Sequence, residues 1–428
     1  MNFKGKRLLI LGGGDVHKKV VNAAKEMGIY TIVTDYYTDK DAPAKKYADE
    51  KLMISVVDVD GIVNWCRNHP VDGILNFCND PAQAPYQRIC EQLGLPCFGN
   101  KMQFEIMTNK RLFKQFCSSN GCDVIPEYTV EDITKDRVLY PILVKPSDSR
   151  GSRGQSICYN KADALEAVKI ARLESKEEKV ICEKYMREYQ DIASAYFVIN
   201  GEPYLIKFGD RFLGREEDKL NRLVMCTLFP SRFSNHLFST VVTDTKEMIK
   251  KLGIKFGPVF LQGFLDGHTI RYYDPGLRMP GSDYDIILKK ATGFDTVKTM
   301  IHFALTGDES VHYGNPLNSY LLCGGKAVLL DYSTSPCRID SIEGAEKIQS
   351  NKNVVYFRQI RNVGSDIPDS GDMRTRVAEV GAYLQKNESM KDFIRHLYSI
   401  YHVYDNYGND RIVSKIDVEK IFREDDTK

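Results

Sequence analysis

The chain has 428 residues, enough for two or three domains with a core in each. Its 43% hydrophobic and 27% charged residues describe an ordinary globular protein, and a net charge of +1 excludes a nucleic-acid or anionic-membrane partner held by bulk electrostatics. Eleven cysteines lack a C-x-x-C pair, no two histidines have metal-ligand spacing, and no apolar run would span a bilayer. The N-terminus enters a strand at once, so the expected location is the cytoplasm with buried free thiols.

In chain order, the apolar run 7–11 ends at Gly12-Gly13-Gly14. Helical spacing from Val16 to Met27 follows, and the strand Tyr30 to Thr34 carries Asp35 at its tip. This is the opening of a dinucleotide-type βαβ unit, or equally a tight turn that binds no cofactor, since Lys18 stands beyond the glycines. Further units (strand 51–56, helix 62–68, strand 71–77, helix to Leu93, strand at Cys97-Phe98) predict an open parallel sheet of about 100 residues. Asn79 and Asp80 lie at the carboxyl end of a strand, where such sheets take ligands, although Asp80 also serves as a simple helix cap. A helix over 101–121 carries Lys110.

Residues 140–156, YPILVKPSDSRGSRGQS, read as a strand ending in Lys145 and a glycine-rich loop. Ser147, Ser149 and Ser152 offer hydroxyls, Arg150 and Lys145 charge, and Gly151 and Gly154 open backbone for phosphates. A helix over 162–173 leads to strand 179–183 with Glu183 at its end; Asp191 and the strand 192–199 follow. Asn200-Gly201 predicts a hairpin with strand 204–208. The polar stretch with Arg211, Arg215 and Lys219 is either a substrate lid or a solvated loop. A second hairpin, turning at Asp266-Gly267 in type I′ fashion, sets Gln262 and Asp274 on neighbouring strands. Oxygen ligands so placed suit Mg²⁺, and Arg278 beyond them would steady a transferring phosphoryl group. From 310, short strands (319–323, 327–330, 354–361), helices over 373–385 and 390–400 and a closing hairpin are expected to give packing and support.

These pieces, in this order, resemble the ATP-grasp superfamily over nearly the whole chain. The resemblance implies a fold of class α/β and α+β. Residues 1–100 would be the open parallel-sheet preATP-grasp domain. Residues 101–309 would be the two-lobed nucleotide domain, its lobes about 127–186 and 187–309. Residues 310–428 would be a β-rich region similar to biotin carboxylase. It places ATP on Lys110, Lys145, the loop Ser149, Arg150, Gly151, Ser152 and Gly154, and on Glu183, Tyr185, Met186 and Asp191. Gln262 and Asp274 would hold the metal, with Arg278 and Lys145 in the chemistry and Asn79, Asp80 and Arg211 near substrate. Gly276 stands where the family has a metal-binding asparagine, a place that a water, a neighbouring acid such as Asp283 or Asp285, or a substrate oxygen would then fill.

The implied reaction is ATP- and Mg²⁺-dependent coupling of a small carboxylate to an amine through an acyl phosphate, with Mn²⁺ as an alternative ion. A bicarbonate-dependent carboxylase and an ATP binder without catalysis are the competing expectations. The partners expected are small molecules and a second copy in a homodimer, with neither nucleic acid nor membrane.

Overall fold

Leu8 to Leu11 are wholly buried, and burial on both faces selects a central parallel strand. A computed structural model describes residues 3–146, 154–175, 179–186, 188–215, 217–220, 223–234, 240–413 and 415–423. In it β1 (Arg7–Leu11) lies between β2 (Tyr30–Thr34) and β4 (Gly73–Leu75), with β3 (Glu50–Leu52) outside β2 and every pair parallel. The helices α1 (Lys18–Glu26), α2 (Val59–Asn68) and α3 (Gln83–Leu93) accompany these strands. The strand expected at Cys97-Phe98 does not form; Phe98 instead packs against the rings of Tyr86, Phe256 and Phe303.

The single helix expected over 101–121 is two, α4 (Lys101–Thr108) and α5 (Lys110–Ser119). Asn109 divides them because it takes an extended backbone and its side chain accepts from the N–H groups of Arg111 and Leu112. Lys110 thereby becomes the first residue of α5. A four-stranded antiparallel sheet follows, made of β5 (Glu127–Tyr128), β6 (Ile142–Pro146), β7 (Ser156–Cys158) and β8 (Val180–Lys184) in the order β5-β8-β6-β7. One face is covered by α6 (Val130–Thr134) and α7 (Lys161–Glu174) over a small core that includes Ile142, Val144 and Val168.

The remaining strands are β9 (Gln190–Ile199), β10 (Glu202–Leu213), β11 (Val224–Phe229), β12 (Gly257–Asp266), β13 (Thr269–Gly276), β14 (Lys326–Ser333), β15 (Cys337–Arg338), β16 (Ser341–Glu343), β17 (Val354–Gln359), β18 (Asp366–Ile367), β19 (Arg376–Leu384) and β20 (His402–Tyr404). Eight of them make one sheet in the order β13-β12-β9-β10-β11-β14-β19-β17, antiparallel throughout. The sheet therefore runs from residue 190 to 384 without stopping at 310.

Four local expectations are corrected. Residues 319–324 form a 3₁₀ turn rather than a strand. Residues 376–384 form β19 rather than part of a helix, because Val377, Val380 and Leu384 mimic helical spacing in a strand buried on both faces. Asp266 pairs with Thr269, so the hairpin loop is Gly267-His268; a positive φ at Gly267 alone fits a type II′ turn, not I′. The closing hairpin reduces to a Tyr404–Asp410 bridge, and β20 pairs with β16. Among the described residues no helix is long and apolar enough to cross a membrane.

Candidate active site

Residues paired directly across a sheet share a face, and the register makes one face of the large sheet into a site. Asp274 pairs with Gln262, Gln262 with Ala193, and Ala193 with Gly209. Two residues along β10, Arg211 pairs with Thr227 and Thr227 with Leu329. Two residues along β14, Asp331 pairs with Glu379 and Glu379 with Arg358. A cavity of about 240 Å³ opens over this face, lined among others by Gln262, Asp274, Arg278, Lys207, Arg211, Thr227, Leu329, Asp331, Arg376 and Glu379.

Lys207 is the most deeply buried cation of this cavity, 4% exposed, above the rings of Phe229 and Tyr284. Burial, and next the charge of Arg211, lowers its ammonium to about 7. Its nearest hydrogen-bond acceptor is the Ser282 hydroxyl at 3.4 Å, a long contact.

Beside the cavity stands a group of lysines. Lys110 Nζ is 3.2 Å from Asp274, both half exposed. Glu183 is 2% exposed, with Lys114 at 2.7 Å on one oxygen and Lys145 in a short contact on the other. Lys114 also reaches Glu127 at 2.6 Å. Burial opposes ionisation of Glu183, but the two ammonium groups outweigh it and its carboxyl falls below the usual range. Lys145 is lowered by burial, which Glu183 only partly offsets. Glu183, which the resemblance places among the ATP-binding residues, fixes two lysines here. Tyr185 donates its N–H to the Pro141 carbonyl at 3.0 Å, and the Met186 side chain is buried. Ser149, Arg150, Gly151 and Ser152 lie outside the described residues. Gly154 is described: its φ is +67°, and a side chain there would meet Pro146 at 2.8 Å, so it serves the turn itself.

On the hairpin, Gln262 and Asp274 lie on neighbouring strands as expected, and a bulge between Gln262 and Gly263 brings them face to face. Arg278 follows over the ring of Phe260, its Nε donating to Asp80 Oδ1 at 3.0 Å. The same Asp80 oxygen accepts from Gln83, whose own oxygen caps the N–H of Leu277 at 2.8 Å. Asp80 thus tethers Arg278. Asn79 stays within the first domain, its side chain close over Gly12. A Cβ at Gly276 would come to 3.3 Å from both Gln83 and Arg278, so an asparagine there would need these side chains to give by a few tenths of an ångström.

Asp283 and Asp285 do not fill that place. Both bind Lys19, Asp283 at 2.7 Å, and Asp283 also binds Arg358. Asp191 is likewise committed: Arg211 is 3.0 Å away and the Tyr273 hydroxyl 3.2 Å. Burial raises its carboxyl despite these partners. Arg211, expected in a lid or a solvated loop, sits in β10 as the partner of Asp191. The glycine run 12–14 is closed as well, since Gly13 donates to Asp35 at 2.9 Å and a side chain at Gly13 would strike Ala42 at 2.6 Å.

The sequence family described as carbamoyl-phosphate synthase L chain, ATP binding domain, matches residues 110–199, from the start of α5 to the end of β9. The small subunit of 2-oxoglutarate carboxylase from Hydrogenobacter thermophilus is 26% identical over 269 residues, which cover 57% of this chain and 56% of that protein. The chain spans about half the length of the curated relatives it matches. The L-amino acid ligase structure from Bacillus licheniformis superposes with a TM-score of 0.74 at 17% identity, covering 94% of this chain and 99% of that one. The biotin carboxylase domain of the Hydrogenobacter enzyme, solved with MgADP, ADP and bicarbonate, gives 0.73 at 18% identity over 98% of this chain and 95% of that one. Residues 110–199 thus match an ATP-binding family, and the chain shares the fold of these ligase and carboxylase structures.

Sequence reasoning missed Lys114, Lys207, Asp331, Arg376 and Glu379 beside or in this cavity. Lys114 had a signal, since it lies one helical turn from Lys110. The other four stand on strands whose two faces look alike in sequence. Three of them come from the segment after 310, which was expected to give support only; β14 and β19 instead line the cavity.

Proposed function

We propose that the chain is an ATP-dependent ligase that joins a small carboxylate to an amine through an acyl phosphate, releasing ADP and phosphate. The observation that carries this is the shared cavity: the oxygen pair Gln262 and Asp274, the tethered Arg278 and the buried Lys207 all open into it. A carboxylate is a poor electrophile until phosphorylated, and phosphoryl transfer asks mainly for positioning and charge neutralisation. Lys110 and Lys145 hold the α- and β-phosphates in this reading. Lys207 holds the carboxylate, and Arg278, kept in line by Asp80, stabilises the charge on the phosphoryl group.

The donor set fits one Mg²⁺. An amide oxygen and a carboxylate face each other across a rigid hairpin, and Mg²⁺ takes one or two protein ligands with phosphate and water for the rest. Lys110 against Asp274 marks the carboxylate as open to a cation. When bound, the ion neutralises phosphate charge; Mn²⁺ would fit the same oxygens. With Gly276 bare and Asp283 and Asp285 engaged by Lys19, none of these three positions offers a side chain to a second ion. A solved neighbour named as an L-amino acid ligase and one holding MgADP support the reading. The MgADP-bound neighbour was solved as a domain dimer, which favours a homodimer here too.

The test is ADP release with ATP and Mg²⁺ across a matrix of carboxylates, amines and bicarbonate. Turnover that needs one acid and one amine, and that falls about 100-fold or more in Asp274→Ala, is the expected outcome. ADP release driven by bicarbonate alone would favour the carboxylase reading, which the relationship to a 2-oxoglutarate carboxylase subunit keeps in view. ATP-dependent thermal stabilisation with no ADP across the matrix would favour a binder without catalysis.

A further inference from the structure

The cavity has a second charged end that phosphoryl transfer leaves unused. Arg376 on β19 donates to Asp331 on β14 at 2.7 Å. Glu379, paired with Asp331 across the strands, is saturated by the Tyr356 hydroxyl at 2.7 Å, Arg358 at 3.3 Å and Arg376 at 3.6 Å. Asp331 is not: Arg376 is its one partner among the described residues, and its side chain remains 14% exposed at the cavity. Leu329 and Met373 give this end apolar walls.

We propose that Asp331 and Arg376 seat the amine substrate, an α-amino acid, its ammonium on Asp331 and its carboxylate on Arg376. This assignment rests on the ligase reading above. An ion pair at a cavity wall offers an anion and a cation side by side, and the zwitterion of an α-amino acid presents the complementary pair at similar spacing. The other end, with Lys207 and Arg278, repels an ammonium group and attracts the acid to be phosphorylated. The two ends are close enough to interact, since the ammonium of Lys207 feels both Arg278 and Glu379.

An ammonium nitrogen has no lone pair, so attack needs a proton acceptor. Burial, opposed by Arg376 and reinforced by Glu379, pushes the Asp331 carboxyl up to about 8. Asp331 takes one proton from the ammonium. The freed lone pair forms the C–N bond as the acyl carbon–oxygen bond to phosphate breaks, and the second N–H proton leaves with the phosphate.

Hydroxylamine separates the two halves, because its nitrogen is largely unprotonated at neutral pH and needs neither seat nor base. Wild type, Asp331→Asn and Arg376→Met are given ATP, Mg²⁺ and the twenty common amino acids as acids, with hydroxylamine or with the same amino acids as the amine. Asp331→Asn is expected to lower amide formation about 100-fold, far more than hydroxamate formation. Arg376→Met is expected to raise KM for an amino acid amine about tenfold or more, and that for amino acid amides, which lack the carboxylate, far less. Equal loss of hydroxamate and amide in both variants, or unchanged amide formation in either, overturns the proposal. Wild type that yields neither product nor ADP sinks the ligase reading itself.

Discussion

Glu183 shows what a buried charge does when both of its oxygens are taken. At 3% side-chain exposure it holds Lys114 and Lys145 apart by attracting each, and any one removal leaves charge without compensation. Lys114→Met is therefore expected to lower stability by about 3 kcal/mol, read from the shift of the denaturant midpoint. His17 argues in the opposite direction. Burial drives its imidazole down from 6.5 to about 4, and its Nδ1 finds no partner among the described residues. The folded state keeps the ring neutral while the unfolded state protonates it below pH 6.5, so its stability is whole above that pH and declines as pH falls toward about 4. The loss is about 3 kcal/mol at most. Thermal melts of His17→Phe across that window should be flatter than those of wild type; parallel curves would assign the pH dependence elsewhere.

At the scale of elements, legibility follows how much a local rule overdetermines the outcome. The hairpin β12–β13 was readable because a glycine turn interrupts alternating residues, but Gln262 meets Asp274 only through a bulge between Gln262 and Gly263 that no spacing rule announces. Lys145 and Glu183 were readable because each stands near the end of an apolar run. The strand β19 was not, since burial on both faces erases alternation, and with it went Arg376 and Glu379. No sequence rule announced that Arg211 would turn toward Asp191 or that Gln83 would cap Leu277, because such contacts join segments far apart in the chain. The break between α4 and α5 is a local feature that one residue controls. Asn109→Ala should cost about 1 kcal/mol and weaken ATP binding by letting Lys110 join a longer helix. A variant of unchanged ATP affinity would show that Lys110 is placed by other means.

For the whole molecule, the connecting device is a chain of ion pairs. Arg358 binds Asp15 at 2.7 Å, Glu379 at 3.3 Å and Asp283, and Lys19 binds Asp283 and Asp285. The first domain, the segment after the hairpin and the late strands are thus locked at one place behind the cavity. The order of the large sheet adds a temporal meaning. Strands β9 to β13 are contiguous in sequence and close local loops, but β11 finds β14 only across about a hundred residues, and until then one edge of the sheet stands open. Late pairing of this kind is slow, and the half-built sheet has an unprotected margin. During refolding, protection by ATP should return before turnover, and a chaperone that shields exposed strands should raise the yield most in the interval between the two. On the proposed reading, a nascent chain gains its nucleotide-side residues first and its complete cavity only when its distal strands arrive.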